Sequence, residues 1–496
     1  MNLGAHLPAL QVVVPLLAAP LAVLLRRRDL AFAVVLVASW LSLAIAILLW
    51  IQVAEGGTIS YALGSWPPPW GIEYRADSLS TLVLVLVAGI AAVVLPFSRA
   101  SIEAEVPRHQ HYLFYAMFAL CLTGLLGITI TGDAFNVFVF LEVSSLSAYV
   151  LIALARDRRA LVAAYQYLVM GTIGATFFVV GVGLLYLMTG TLNLVDMGHR
   201  LGQVEGTRPI LVALAFLTVG ISLKLALFPL HQWLPNAYAY SPSAVASFLA
   251  GTATKVAVYV LVRFYFSVFG ESQVFDRLPT QEMLLLLALG GMFVASGVAI
   301  FQADLKRLFA YSSIAQIGYI ILGLSFNSTT GLTAAIVHLF NHGITKAAIF
   351  MLLGCVAVGI GGVGLNQVRG LGRRMPVTSF ALVIGGLSLI GVPGTAGFVS
   401  KWYLILAALE QGQGWLVALI LLSSLLAVVY VWRFVEAAYL HPAPAGTAEA
   451  PIRTRWSMLA PALLMVAAVV YFGIDTSFPV GAATQAAELL TGGLRR

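Results

Sequence analysis

Long, almost uncharged apolar runs recur from one end of this chain to the other, and they constrain its fold more than any other feature. About fourteen of them approach the ~20 residues that carry an α-helix across a bilayer. They lie at 7–25, 30–54, 78–98, 111–130, 133–155, 161–190, 209–230, 243–269, 281–302, 305–325, 331–358, 376–408, 413–437 and 457–474. Of 496 residues, 60% are hydrophobic and only 9% charged, too little polar surface for a water-soluble fold of that size. A bilayer offers no water to satisfy backbone groups, so spans must be helices or closed barrels. The sequence therefore predicts an all-α polytopic membrane protein. Two runs carry breakers in their middle: Phe228-Pro229 with Pro235 beyond it, and Gly391-Val392-Pro393-Gly394. Proline removes a ladder donor, so the seventh and twelfth helices are expected to be broken, at Pro229 and Pro393.

The charges give the orientation. The net charge of +7 is scattered over short loops, which argues against nucleic acid as a partner and for positive-inside bias. Sixteen basic residues fall after helices 1, 3, 5, 9, 11 and 13 and seven on the opposite side, which places both termini outside the cytoplasm. Cys121 and Cys355 lie within apolar runs, so neither a disulfide framework nor a thiolate metal site is expected. The first ten residues carry no basic leader, and the first apolar run reads as a retained helix rather than a signal peptide.

A weak internal repeat is visible. Val143-Ser144-Ser145-Leu146 in the fifth run resembles Tyr311-Ser312-Ser313-Ile314 in the tenth, and the broken seventh and twelfth helices are also five apart. A five-helix unit crosses the membrane an odd number of times, so two copies insert in opposite orientations, an arrangement common in transporters. The expected organisation is a three-helix segment over 1–110, inverted repeats over 111–270 and 281–440, and a last helix with its tail over 441–496. Glu142 aligns with Ala310, so its carboxylate belongs to one repeat alone.

The ionisable residues are distributed unevenly. The chain has five lysines against 22 arginines. Lys224, Lys255, Lys346 and Lys401 fall inside apolar runs, and Lys306 alone reads as a loop residue. Arginine cannot lose its proton inside a protein, whereas a buried lysine can titrate. Ionisable groups at membrane depth are costly and mark function by default. Glu142, the one acidic residue expected so deep, needs a lysine partner, because an unpaired buried carboxylate is strongly unfavourable. Lys224, just before the Pro229 break, is the natural choice, and moving the carboxylate would decide whether that amine keeps its proton. His338, His342 and Lys346 recur every four residues, forming one helical face about 12 Å long. Two histidines at that spacing can also bind zinc, but the third residue in line is a lysine and no carboxylate is near in sequence. Lys401, beyond the second break, is expected at the far end of a proton path that crosses by way of His338, His342 and Lys346. For each lysine the competing reading is a static pin or a side chain snorkelling to the interface. Gly359, Gly361 and Gly364 have GxGxxG spacing, but no strand precedes them, so no dinucleotide site is expected. Nothing else in the chain suggests a redox cofactor or a metal.

At these residues the chain resembles the antiporter-like subunits shared by Mrp-type multisubunit cation/proton antiporters, respiratory complex I and membrane-bound hydrogenases. The motifs that carry the resemblance are Thr131-Gly132-Asp133-Ala134-Phe135-Asn136 leading to Glu142, Lys224 with Phe228-Pro229-Leu230-His231, and Trp233-Leu234-Pro235-Asn236-Ala237 to Thr254-Lys255. Arg307-Leu308-Phe309-Ala310-Tyr311-Ser312-Ser313 and His338-Leu339-Phe340-Asn341-His342 complete them. The pattern is nearest to the D-type branch of the Mrp antiporters and its hydrogenase relatives. The resemblance implies fourteen helices with two inverted five-helix repeats, Glu142 and Lys224 as the coupling pair, and Lys255 and His338 along a central hydrophilic axis. It makes Lys401 the terminal lysine, where one complex I branch carries glutamate. It further implies a prokaryotic-type cell membrane, a hetero-oligomer with other membrane subunits, transport of H+ and possibly Na+, and no redox step in this chain. The long lateral helix of the largest family subunits is not expected here, so the chain should not cap the assembly. A free-standing solute carrier should instead show a large substrate cavity, and a membrane transferase should show an acidic or histidine cluster in a surface loop.

Overall fold

The computed structural model describes residues 3–204, 208–276, 278–444 and 451–492. Arg277, Arg495 and Arg496, three of the basic residues assigned to the less basic side, lie outside them. The membrane crossings, labelled here α1 to α14, are Leu7–Leu25, Arg28–Gly56, Ser78–Glu105, His111–Ile130, Ala134–Ala153, Arg159–Thr189, a broken α7 (Arg208–Leu225 and Leu234–Tyr240), Ser243–Val262 extended by a π-helical turn Arg263–Phe269, Thr280–Ile300, Leu305–Ser325, Thr329–Ile360, a broken α12 (Pro376–Ile390 and Ala396–Glu410), Gly414–Val435 and Trp456–Ile474. Among the described residues thirteen helices are long and apolar enough to span a bilayer; α12 supplies the fourteenth crossing in two pieces. The sets α4–α8 and α9–α13 each hold five crossings, so the second runs inverted relative to the first.

Polar caps fix where the helices start. Asp77 and Ser80 form a reciprocal capping box at α3, with Ser80 N donating to Asp77 Oδ1 at 2.9 Å and Asp77 N to Ser80 Oγ at 2.7 Å. Asp133 caps α5 through Asn136 N at 2.7 Å, and Asp304 caps α10 through Arg307 N at 2.9 Å. Each cap satisfies amides that have no helical partner. The helices α3, α4, α8, α10 and α11 form the core, whereas α1, α2, α6, α9, α13 and α14 leave wide apolar faces outward. Small residues let the central pair approach closely: a Cβ on Gly343 of α11 would lie 2.9 Å from the Gly251 carbonyl of α8. Lys255 and the His338–Lys346 column are thereby carried on neighbouring helices at the centre.

Three expectations need correction. Lys306 is not a loop residue: it sits in the first turn of α10, buried, 3.7 Å from Glu105. Arg99 and Arg433 are likewise helical, inside α3 and α13, and Arg433 donates to the carbonyls of Ile300 and Gln302 at the end of α9. The run at 457–474 is not the last helix, because Ser477–Gly492 follows and packs against α3 and α11. Its 16 residues are short for a span, and Gln485 and Glu488 lower its hydropathy. A short hairpin, β1 (Ile59–Ala62) antiparallel to β2 (Glu73–Ala76), also escaped the pattern reading. Gly361, at φ +81°, is simply the residue that ends α11.

The two halves of α12 meet where Gly397 faces Ser388, with no room for a side chain: a Cβ there would lie 1.8 Å from the Ser388 carbonyl oxygen. Gly397→Ala is therefore expected to destabilise the protein by about 1–3 kcal/mol or more, the usual cost of overpacking. Gly481→Ala, where nothing lies within 4 Å, should leave stability unchanged or raise it by about 0.5–1 kcal/mol. Thermal unfolding in detergent by a fluorescent size-exclusion assay compares the two.

Candidate functional site: a buried line of amines and imidazoles

The site begins at the break in α7. The helix ends at Leu225, Ala226 takes φ +58°, and a turn leads through Pro229 to the short second piece. Trp233 pins the break by stacking on Tyr167 (centroids 3.9 Å apart, planes at 4°) and donating its indole N–H to Leu223 O at 2.9 Å. One residue on, Lys224 projects toward α5. Its Nζ lies 3.3 Å from Glu142 Oε1 and 2.7 Å from Ser145 Oγ. The expected partnership of Glu142 and Lys224 is thus present, with a serine as third member. The two ends differ in burial: the Lys224 side chain is 6% exposed and that of Glu142 26%. Glu142 shares an outward face of α5 with the exposed Val139 and Leu146.

Lys255 is surrounded by its own helix. Its Nζ donates to Ala250 O at 2.5 Å and to Thr254 Oγ1 at 3.3 Å. Among the described residues no hydrogen bond joins Lys224 to Lys255. Across the glycine contact stand the α11 groups. His338 and His342 stack with centroids 5.9 Å apart, and His338 Nδ1 meets Ser400 Oγ at 2.7 Å. Both ring nitrogens of His342, Nε2 of His338 and Oδ1 of Asn341 are buried without a hydrogen-bond partner among the described residues, the pattern of groups that take ordered water. Lys346 Nζ reaches the other way, to Phe309 O at 2.8 Å and Ser312 Oγ at 2.5 Å. Thr345 Oγ1 lies 3.1 Å from Ser388 Oγ.

Lys401 fills the break in α12. Gly391 (φ +91°) and Gly394 (φ +83°) interrupt the helix beside Pro393, and the freed carbonyls of Leu389 and Ile390 accept from Lys401 Nζ at 3.0 and 2.8 Å, with Ser424 Oγ at 2.9 Å. The ammonium also stands 4.5 Å over the ring of Tyr319, which in turn lies 5.7 Å from His338. Lys401 therefore adjoins the His338 end of the column, not the Lys346 end. Its geometric order is Lys346, His342, His338, Lys401. Among the described residues no three His, Cys, Asp or Glu side chains converge as a metal site.

The family model described as "NADH:quinone oxidoreductase/Mrp antiporter, TM" matches residues 131–427, the stretch from the α5 cap into α13. The chain belongs to this family. It is 42% identical over 484 residues (95% of this chain, 96% of the relative) to the NADH-quinone oxidoreductase subunit N of Desulforudis audaxviator. It is 34% identical over 366 residues (74% and 73%) to the D-type subunit of the Na(+)/H(+) antiporter of Alkalihalophilus pseudofirmus. Among solved structures, a chain of the Mrp complex from Dietzia sp. DQ12-45-1b superposes with TM-score 0.90 at 26% identity, covering 99% of this chain and 98% of that one. A chain of the membrane-bound sulfane sulfur reductase, an archaeal respiratory membrane complex, gives 0.89 at 31% identity and 98% coverage of both.

For this member of the NADH:quinone oxidoreductase/Mrp antiporter family, reading the sequence alone overlooked the neutral groups that hold the amines. Ser145, Ser312, Ser400, Ser424 and Tyr319 each contact a lysine or histidine of the line. The paired serines of α5 and α10 were visible, but only as a repeat signature; in each helix one of them meets a lysine. Two partly buried ion pairs were also missed, Asp77 with Arg263 and Glu105 with Lys306. Trp233→Phe keeps the stacking but leaves Leu223 O with only the Ala226 amide, 3.4 Å away. It should cost about 1–3 kcal/mol, read as a lowered Tm of the purified assembly, whereas Trp66→Phe at an exposed loop position should not.

Proposed function

We propose that this chain is the proton-translocating subunit of a multisubunit monovalent cation (Na+)/H+ antiporter. In this reading the Glu142–Lys224 pair couples to a neighbouring subunit, and protons pass by Lys255 to the column Lys346, His342, His338 and leave beside Lys401. The observation that carries it is the placement of three buried lysines, Lys255, Lys346 and Lys401, each held by hydroxyl or carbonyl oxygens, around two stacked histidines, with a fourth, Lys224, paired to Glu142 and Ser145. A static structural role needs one pair, not a line. The outward face of Glu142 favours an assembly, since a carboxylate facing lipid is costly and a partner subunit can cover it. The solved relatives are chains of multisubunit Mrp, sulfane sulfur reductase and complex I assemblies.

A second reading, a proton-pumping subunit of a complex I-like or hydrogenase-type assembly, is favoured by the 42% identical subunit N relative. In that case electron transfer takes place in other subunits and the same line carries the protons. Both readings place the chain in the cell membrane with its termini outside the cytoplasm. The excess of arginine after α1, α3, α5, α9, α11 and α13 supports that orientation.

Sodium-triggered collapse of a pH gradient, measured in inverted vesicles containing the whole assembly, tests the function. Lys224→Ala is expected to remove the sodium response. Lys401→Arg retains a cation but cannot release a proton, and should lower turnover by about tenfold or more while the assembly stays intact. A redox-driven gradient without any sodium response would select the second reading. Full activity in both variants would rule out the lysine route. For orientation, a maleimide probe should label Arg158→Cys from the cytoplasmic side alone; labelling from outside would invert the topology.

A further inference from the structure

The outer end of α8, on the side opposite most of the arginines, carries polar groups that the proposed route does not use. Lys255, Tyr259 and Arg263 follow at four-residue intervals, so they ascend one helical face over about 12 Å. Tyr259 donates to Thr129 O at 2.7 Å and accepts from Arg263 Nε at 3.0 Å. Arg263 begins the π-helical turn that ends the helix, a feature frequent at functional positions. Its guanidinium is ion-paired to Asp77, and both side chains are largely buried, 12% and 14% exposed. Above the pair lies a cavity of about 190 Å3, whose lining includes Arg75, Asp77 and Arg263 on one side and Leu489 and Leu490 of the terminal helix on the other. Burial alone would raise the Asp77 carboxyl, but Arg263 and the Ser80 amide more than offset it and hold it below the usual carboxylate range.

We infer that Arg263, fixed by Asp77 and Tyr259, is an outer seal that keeps protons and hydrated cations in the cavity from reaching Lys255. A guanidinium does not release its proton, so it cannot relay one, and its fixed charge repels cations in a narrow polar passage. Arg75 also lines the cavity, its charge balanced by Glu73 3.6 Å away. With this end closed, a proton held at Lys255 is kept from escaping into the cavity. The inference rests on the reading of Lys255 as a proton-carrying group.

Passive proton flux into proteoliposomes of the whole assembly, under an imposed pH gradient and with no sodium and no electron donor, tests the seal. Arg263→Gln is expected to raise that flux by about tenfold. Arg263→Lys, which keeps a cation but can release its proton, should leak less than Arg263→Gln and more than wild type, and Lys255→Ala combined with Arg263→Gln should return to wild type. An intact Arg263→Gln assembly with wild-type flux overturns the proposal, as does a double variant as leaky as the single one. Failure of both Arg263 variants to assemble also overturns it, because the pair is then a structural pin. Driven transport retained by Lys255→Ala alone would count against the function proposed above and leave the flux of Arg263→Gln as a separate result.

Discussion

An ammonium group inside a bilayer needs a solvent, and the protein has to supply it. That requirement organises this structure. Lys224 has a carboxylate and a serine, Lys255 a carbonyl and a threonine, Lys346 a carbonyl and a serine, Lys401 two carbonyls and a serine. Most of these oxygens are neutral dipoles. Neutral dipoles can hold an amine without binding it as tightly as a full countercharge would, which leaves the bare and the protonated forms closer in energy. A chain of permanent ion pairs would solvate the charges better but would trap them.

A carbonyl in an intact helix already accepts its ladder amide and has one lone pair to spare, as Ala250 O and Phe309 O do for Lys255 and Lys346, whereas an interrupted helix frees carbonyls from the ladder altogether. The glycines around Pro393 therefore have a chemical role as well as a conformational one. Gly391 and Gly394 adopt left-handed backbone that other residues resist, and the two carbonyls released beside them are the ones Lys401 uses. At α7 the break instead projects Lys224 sideways toward α5, with Trp233 closing the gap. The two breaks occupy corresponding positions in the inverted halves yet present their lysines differently. One faces a charged partner near the lateral surface, and the other is enclosed by dipoles.

The crossings, both breaks and four of the five buried amines were legible in the sequence, because long apolar runs leave so few polar residues that each one is conspicuous. Glu142, His338 and Lys401 could be found by depth alone. Lys306 was misplaced for the converse reason. It follows Asp304 closely, at what looks like a loop, and only folding brings Glu105 from the far end of α3 to bury it. The Asp77–Arg263 pair was invisible for the same reason, since its members are far apart in sequence and each lies at a helix end where charge is unremarkable. The order of the polar line was likewise not legible. Sequence spacing orders the α11 residues among themselves, but whether Lys401 joins them at His338 or at Lys346 depends on how α12 is bent.

The difference in burial between the ends of the Lys224–Glu142 pair bears on how relatives with different energy sources can share one scaffold. At a separation of 3.3 Å and an effective dielectric constant of about 20, the Coulomb interaction is on the order of 5 kcal/mol. Doubling the distance removes about half of it. A displacement of a few ångströms is within reach of a neighbouring subunit that touches the outward face of Glu142, and it requires no rearrangement of helices α3, α8, α10 and α11 of the core. The conductor can then stay the same whether the displacement is caused by cation binding or by electron transfer, because only the lateral contact has to change. In the proposed proton route, residues that determine the driving force belong to the α5 surface and its partner, while the residues of the buried line determine only that protons are what move.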